Sequence, residues 1–269
     1  ISDKIYKKNN TDIFFKILLG YIFIGTISLI LHFFFKINDF ISIAIIVIGL
    51  LIFFINYSKV NKKEFILLII IIPLFSFIFF GYSDHPIDAN MYHHPYVSYL
   101  KSEKIIIAIA NIQFRFGHIS FHQYVQAIIT NNIFNLISLA SVNIILYISF
   151  IYFITLKIIK TKNFNFNFIA VILLTSFLLI KFARYREYGN DIIPLIVSIY
   201  FLIQILELKK NKIFSQNEML NFSIPFVAFM FAHKISYIFA FLMFLPLYKN
   251  LEIIKKIKIN SLFIFLLIF

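Results

Sequence analysis

The chain has 269 residues, of which 61% are hydrophobic and 14% are charged, and it contains 37 Phe and no Cys. A soluble domain of this size cannot bury so much apolar surface, so the composition excludes an ordinary soluble enzyme and indicates a membrane protein. The lack of Cys excludes disulfides and thiolate metal sites. The net charge of +13 comes largely from short Lys clusters between apolar runs, a pattern typical of cytoplasmic loops in polytopic membrane proteins.

Apolar runs, taken in chain order, predict an all-α polytopic bundle of about eight transmembrane helices. A helix needs roughly 20 apolar residues to cross a hydrocarbon core of about 30 Å. Pro73 predicts a kink in the third span. The last two runs are short, so they are either two tilted helices or one long helix with Lys234 at its middle. The predicted spans cover residues 13–35, 40–56, 65–80, 133–156, 166–183, 192–206, 222–232 and 235–247.

The two ends of the chain suggest a piece of a longer protein. The chain begins with Ile1 instead of Met and ends in the apolar run SLFIFLLIF. We therefore expect residues 1–269 to form a single transmembrane domain that ends in a truncated ninth span.

The distribution of Lys and Arg predicts an orientation. With the N-terminus inside, the cytoplasmic loops carry about twice as many Lys and Arg residues as the loops on the other side. The positive-inside rule then predicts a multi-pass protein whose N-terminus is cytoplasmic and whose long loop, residues 81–132, lies on the outer face. The amphipathic stretches 92–100 and 105–128 of this loop predict short helices that lie in the membrane interface.

The beginning of this loop carries the candidate catalytic carboxylates. Asp84, Asp88 and Tyr92 are spaced by four, so they would share one face of a helix, and His93 and His94 follow. A partly buried carboxylate can act as a general base, or it can bind a divalent cation together with an imidazole. The alternative is a polar interfacial loop in which Asp88 caps a helix and the histidines bind lipid headgroups. The spacing matches no strong metal motif.

Further along the chain, four cations are candidates for binding a phosphate. Arg115 lies between two aromatic residues and close to a glycine, where it can bind a phosphate bidentately or extend to lipid headgroups. Lys234 lies in an apolar stretch, where a cation usually faces a polar cavity or an anion. Arg184 and Arg186 lie with Asp191 in a short link on the predicted outer side, which is otherwise an ordinary turn.

Two further histidines in the loop are predicted to be structural. His118 and His122 are separated by four residues on the same predicted helix. Hydrogen bonding within the interface explains such a pair better than metal binding does.

Two segments of the loop resemble a known signature. The sequence DANMYHHPYVSYL at 88–100, followed by ANIQFRFGHISF at 110–121, resembles the signature loop of an uncharacterised bacterial polytopic membrane protein family. The later HKISY at 233–237 is similar to a K-L-S segment of that family. The architecture also resembles the GT-C superfamily of membrane glycosyltransferases, whose outward loops carry an acidic base or metal ligand.

The resemblance implies that Asp88 takes the acidic role and that Arg115 and Lys234 bind an anion. The sequence departs from the pattern in two ways. Gln113 stands where the loop signature has His, and the acidic motif follows the third span instead of the first. No D-x-D or E-x-D pair is present, so a divalent metal cofactor stays open.

These observations predict a glycosyltransferase-like protein of the bacterial inner membrane that acts in envelope polysaccharide or glycolipid assembly. The expected donor is a polyprenyl-phosphate-linked sugar, with Asp88 as the base and the cations holding the leaving phosphate. A transporter or flippase for an envelope precursor is one alternative, and an O-antigen polymerase or ligase is another. The bilayer is the expected partner, and no nucleic acid is expected.

Overall fold

The computed structural model describes residues 12–57, 61–74, 89–111, 114–117, 121–131, 141–160, 191–211 and 227–231, with residues 169, 171–173, 175, 176, 180 and 233. Within these ranges the chain is helical and forms no strand, which confirms the predicted all-α class for them. Two described helices, Ile13–Phe34 and Ser141–Ile159, are long and apolar enough, by length and composition, to cross a membrane. The bundle of eight spans stays a prediction.

The chain divides into two compact units. The first consists of Ile1–Lys157 with Lys181–Gly189, and the second of Ile158–Ile180 with Asn190–Phe269. The residues between the predicted first and fourth spans therefore belong with those spans, in the first unit.

The first two helices follow the predicted spans to within one residue at each end. Helix α1 is Ile13–Phe34, and it begins where the side chain of Asp12 accepts a hydrogen bond from the N–H of Phe15. Helix α2 is Asp39–Ile55, capped in the same way by Asn38. These caps satisfy N–H groups that a helix start leaves without an intrahelical partner.

A short third helix turns irregular ahead of a proline. Helix α3, Lys62–Ile66, continues into a π-helical turn at Leu67–Ile71, two residues before Pro73. Proline lacks an N–H and its ring crowds the carbonyl four residues earlier, so the regular ladder cannot continue through it. The structure therefore has a π-helical turn ahead of Pro73, and the kink predicted there stays a prediction. The predicted third span runs beyond residue 74, outside the described residues.

The central segment, which is the described part of the long loop at residues 81–132, also begins with a π-helical turn. A π-helical turn at Ala89–His93 leads into helix α4, His94–Ser102, again with a proline two residues after the turn, at Pro95. Two 3-10 turns follow, at Ile109–Asn111 and Phe114–Gly117. Helix formation predicted across residues 105–128 is therefore wrong for 105–108, which form a non-helical stretch and a turn.

Helix α5, Phe121–Ile129, is the centre of the first unit. It packs against α1, α2 and α4, and every side chain from Phe121 to Ile128 is buried. The structure thus shows a helix packed inside the protein, and the predicted position of this stretch in the membrane interface stays a prediction. Its contacts with α1 reach from His32 back to Tyr21, about 16 Å along the helix axis, so α5 runs beside α1 to its middle. Gly25 permits this approach, because a Cβ there would overlap the ring of Phe121.

Helix α6 is Ser141–Lys160, and its residues up to Lys157 belong to the first unit. The rings of Phe150 and Phe153 pack on Phe14 at centroid distances of 5.3 and 6.4 Å. The helix extends past the predicted end at residue 156, since Lys157 can lie back along it with its Nζ 4.6 Å from the ring centre of Phe153.

Contacts at the two ends of α1 involve different parts of the first unit. Lys16 near the start of α1 forms an ion pair with Glu64 of α3, at 3.0 Å. At the other end of α1, the N–H of Ile37 donates to the carbonyl of Leu100 in α4, at 2.9 Å. The turn after α2 thus lies at one end of α1, and part of the central segment lies at the other.

The second unit contains helix α7, Ile192–Asn211, and a short helical stretch at residues 227–231. The hydroxyl of Ser198 in α7 lies 3.1 Å from the sulfur of Met230. The helix extends five residues beyond the predicted span. This end contains Leu208, Lys209 and Lys210, all good helix formers. Whether 222–247 forms one helix or two falls outside the described residues.

Candidate functional site

Part of the predicted site can be described. Tyr92, His93 and His94 belong to the first unit, and Asp191 immediately precedes α7 in the second. A carboxylate in that position stabilises the start of a helix. The backbone of Arg115 lies in the 3-10 turn Phe114–Gly117. Outside the described residues lie Asp84, Asp88, Arg184, Arg186 and Lys234, together with His118.

His93 is a packed residue between helices. It is 4% exposed, and its Nδ1 lies 3.2 Å from Nε2 of Gln123 in α5. An amide NH₂ donates, so Nδ1 of His93 is the acceptor. The ring of Tyr92 lies against it at a centroid distance of 4.1 Å. This arrangement ties the π-helical turn to α5, so His93 supports the segment that follows Asp88 instead of facing an open site.

A hydrogen-bonded chain links α4, α5 and α1. Nε2 of His32 lies 3.1 Å from the carbonyl oxygen of Glu103, which only accepts, so this nitrogen carries the hydrogen. Nδ1 of the neutral ring then accepts from the hydroxyl of Tyr124, at 3.2 Å. The Tyr124 oxygen is in turn bonded to the hydroxyl of Tyr96. Polar side chains from three helices therefore satisfy one another inside the unit.

The two tyrosines of this hydrogen-bonded network, Tyr96 and Tyr124, stay neutral. Burial raises the pKa of Tyr96 to about 12 and moves the pKa of Tyr124 further upward. Both phenols are thus protonated donors near neutral pH. Tyr96, Tyr124 and His32 are at most 3% exposed. Their hydrogen-bonded network therefore holds the fold together and offers no surface to a substrate.

His122, one of the two histidines predicted to be structural, has a hydrogen-bond partner. Nδ1 of His122 in α5 lies 2.9 Å from the hydroxyl of Tyr21 in α1. Both side chains are buried. This confirms that His122 is hydrogen-bonded, although its partner is a span residue and its position is the interior.

A partly buried cation joins three elements. Nζ of Lys101 in α4 lies 2.6 Å from a carboxylate oxygen of Asp39, at the start of α2. It also donates to the carbonyl of Thr130, just after α5, at 2.7 Å. The Asp39 carboxylate also lies in the first turn of α2, where negative charge is favourable.

An open apolar groove runs between α1 and α2. Its volume is about 1410 Å³, larger than the roughly 300–1,000 Å³ of ordinary small-molecule pockets. Aliphatic and aromatic side chains of the two helices form its length, with Gly20 and Gly49 among the lining residues. Lys36, Lys104 and Glu103 lie at one end, which we call the mouth, and all three are exposed. The groove thus combines a long apolar channel with a mouth that carries a net positive charge.

Comparison with known proteins assigns a family. A family model described as Domain of unknown function (DUF8201) matches residues 1–269. The chain belongs to this family. No curated protein and no solved structure matches the chain. The DUF8201 family description names no activity.

The groove of this DUF8201 chain was not foreseen from its sequence, nor were His32, Tyr99 and the Lys101–Asp39 pair. One signal for His32 was present, since a lone imidazole near the end of a long apolar run has to find a polar partner. The residues that bond to it come from 71 and 92 positions away. Among the described residues, no three His, Asp or Glu side chains lie together in a way that could hold a metal ion.

Proposed function

We propose that this protein is a multi-pass protein of the bacterial inner membrane that binds a polyprenyl-phosphate-linked sugar in the α1–α2 groove and transfers that sugar during envelope polysaccharide or glycolipid assembly. The groove carries the proposal. Its length suits an apolar chain, and its mouth suits a phosphate. The sequence resemblance to membrane glycosyltransferases supplies the reaction class by analogy.

The outer surface of α2 supports a lipid environment for the groove. Large apolar side chains remain exposed along its second half, among them Val47, Leu51, Phe54 and Ile55. A soluble protein rarely leaves a patch of that size uncovered. With lipid around α2, a polyprenyl chain enters the groove sideways from the bilayer, and its phosphate stays at the headgroup level.

Charge at the mouth favours an anionic headgroup. Lys36 and Lys104 provide two ammonium groups and Glu103 one carboxylate, leaving a net charge of one positive unit. Under the predicted orientation this end of α1 is on the outer face, the side on which Asp88 is expected. In the proposed step, the bond from the sugar to the phosphate breaks, the acceptor oxygen bonds to the sugar, and Asp88 takes the acceptor proton.

Filling the groove tests the binding step. A Cβ at Gly20 or Gly49 meets no atom within 4 Å, so Gly20→Phe and Gly49→Phe place a ring in the groove without a backbone clash. Binding of a long-chain polyprenyl monophosphate to the purified full chain in nanodiscs should weaken by roughly tenfold, the equivalent of about 1.4 kcal/mol. Ile30→Phe is the matched control, since Ile30 is exposed on α1 and does not line the groove.

Equal binding by Gly49→Phe and the wild type would show that the lipid lies elsewhere. The transfer step is tested separately in cells with Asp88→Asn. A glycosyltransferase loses the glycan product while the lipid-linked donor is still translocated. A flippase with the same change retains partial flux of the precursor. Unchanged glycan would remove Asp88 from the mechanism.

A further inference from the structure

The mouth of the groove is formed partly by a non-helical segment that two residues hold in place. We call residues 103–106 the strap, and all four of its residues line the groove. The hydroxyl of Tyr99 donates to the carbonyl of Lys104 at 3.0 Å and accepts from the N–H of Ile106 at 2.7 Å. His32 donates from Nε2 to the carbonyl of Glu103 at 3.1 Å, and its own carbonyl accepts from the N–H of Ile105 at 3.3 Å.

The strap needs these bonds because its path is unfavourable by itself. It is non-helical and largely exposed, so fixing its backbone costs conformational entropy. Two residues beyond it lies Ala108, whose φ of 63° lies in the left-handed region that L residues avoid. Together, Tyr99 and His32 bond to every residue of the strap, and their rings pack edge to face at 5.8 Å.

Tyr99 holds the strap without lining the groove. Its ring packs against Tyr96 at 5.8 Å and against Phe116 at 6.4 Å, and it is not among the residues that line the cavity. Burial raises the pKa of its phenol, with a weaker contribution of the same sign from the Glu103 carboxylate. The hydroxyl therefore stays protonated near neutral pH and keeps its donor role toward Lys104.

We propose that Tyr99 is a positioning residue that fixes Lys104 over the mouth of the groove, where its ammonium selects a phosphorylated lipid over the neutral alcohol with the same chain. This inference rests on the proposed function, because it assumes that the groove takes the lipid. Selection arises because the alcohol gains the same apolar contacts but lacks the charge-assisted contact to Lys104. Lys36 also lines the mouth, but it precedes α2 and is not part of the strap.

The test measures selectivity in the full chain. Binding of a long-chain polyprenyl monophosphate and of the matching polyprenol is compared in nanodiscs of uncharged lipid, and the ratio of the two affinities is the readout. Tyr99→Phe keeps the ring packing and removes only the hydroxyl. It should lower the phosphate-to-alcohol ratio by roughly tenfold and leave polyprenol affinity unchanged. A general loss of structure would lower both affinities together.

A pair of double variants separates positioning from a local packing effect. In a Lys104→Ala background, Tyr99→Phe should lower the ratio no further, since the group that it positions is absent. In a Lys36→Ala background, which serves as the matched control, it should still lower the ratio by roughly tenfold. Equal effects in the two backgrounds, or a Tyr99→Phe ratio equal to that of the wild type, would overturn the inference alone. A wild type that binds both lipids equally would also overturn the inference, whereas the proposed role of the groove fails only if Gly49→Phe binds the lipid as well as the wild type does.

Discussion

Helices α2 and α5 belong to the same unit, but they differ in which side chains they bury. α2 is almost entirely apolar, yet Ser42 is the one residue of this helix that is buried. α5 carries His122, Gln123 and Gln126 and buries all three. In water the hydrophobic effect would favour the reverse arrangement. In lipid, an apolar side chain gains little by leaving the surface, whereas polar groups gain by pairing in the interior.

The two helices also differ in how closely they approach α1. α5 lies against α1 at Gly25 and exchanges hydrogen bonds with Tyr21 and His32. α2 stands away from α1 over the length of the groove, where both Gly20 and Gly49 face open space. One side of α1 is therefore a packed polar interface, and the other is an open apolar channel. Each of the following predictions tests one part of this contrast.

The largest effect is expected at Gly25. A Cβ there overlaps the buried ring of Phe121, and overpacking costs about 1–3 kcal/mol for small additions. Gly25→Ala should lower the free energy of unfolding by about 2 kcal/mol, even though Ala gains about 1 kcal/mol in helix propensity. Gly25→Leu should lower it further. Denaturation in mixed detergent micelles measures these changes.

Gly20→Ala is the matched control, because it lies on the same helix and its Cβ meets open space. It should leave stability unchanged or raise it by up to about 1 kcal/mol. A loss of stability at Gly20 as large as that at Gly25 would contradict the close approach of α5 to α1.

The second effect depends on pH and comes from Tyr96. Burial raises its pKa to about 12 in the folded state, whereas tyrosine titrates near pH 10 in an unfolded chain. The contribution of the buried neutral phenol is fully present below about pH 10 and is lost as the pH rises through 12. Titration of Tyr96 by itself should lower the free energy of unfolding by up to about 1.4 kcal/mol per pH unit over this window, and the buried Tyr124 adds to the slope of the whole protein.

Tyr96→Phe removes the ionisable group, so this variant should lose less stability than the wild type between pH 10 and pH 12. The quantity to compare is the slope, because the substitution also deletes the hydrogen bond to Tyr124. Identical slopes for the two proteins would mean that Tyr96 is not buried as described.

A smaller effect is expected at Lys101. Its ammonium bonds to Asp39 and to the carbonyl of Thr130, and both members of the ion pair are about three-quarters buried, with side-chain exposures of 19% and 25%. Lys101→Ala should lower the free energy of unfolding by about 1–2 kcal/mol, less than for a fully buried pair. Ser102→Ala, at the exposed neighbouring position, should change it by less than about 0.5 kcal/mol.

The smallest effect is expected at Leu51 of α2, and it is compared with the effect at a buried residue of α5. Val125→Ala removes two methyl groups from the buried surface of α5 and should cost about 1–2 kcal/mol. Leu51→Ala removes a larger side chain from α2, where the residue is 56% exposed. In a bilayer this should cost less than about 0.5 kcal/mol, because lipid replaces the lost contacts. A larger loss at Leu51 than at Val125 would show that α2 is covered by protein.

Local sequence features account well for the first helices. Asp12 and Asn38 mark the starts of α1 and α2, and both helices agree with the predicted spans to within one residue at each end. Pro73 predicted a kink, and the structure has a π-helical turn just before it. The central carboxylates of the predicted site, Asp84 and Asp88, lie outside the described residues, so their roles remain predictions.

The sequence by itself determined where α1 and α2 begin and which segments are apolar, because caps, prolines and hydrophobic runs act within a few residues of the chain. Tertiary structure decided that α5 is buried, since its amphipathic pattern suits a membrane surface equally well. The difference came from Gly25, which leaves room for Phe121, and from Tyr21 and His32, which supply hydrogen bonds across 101 and 92 residues. Such partners meet only after the chain has folded, so neither the buried network nor the groove beside it can be read from local patterns.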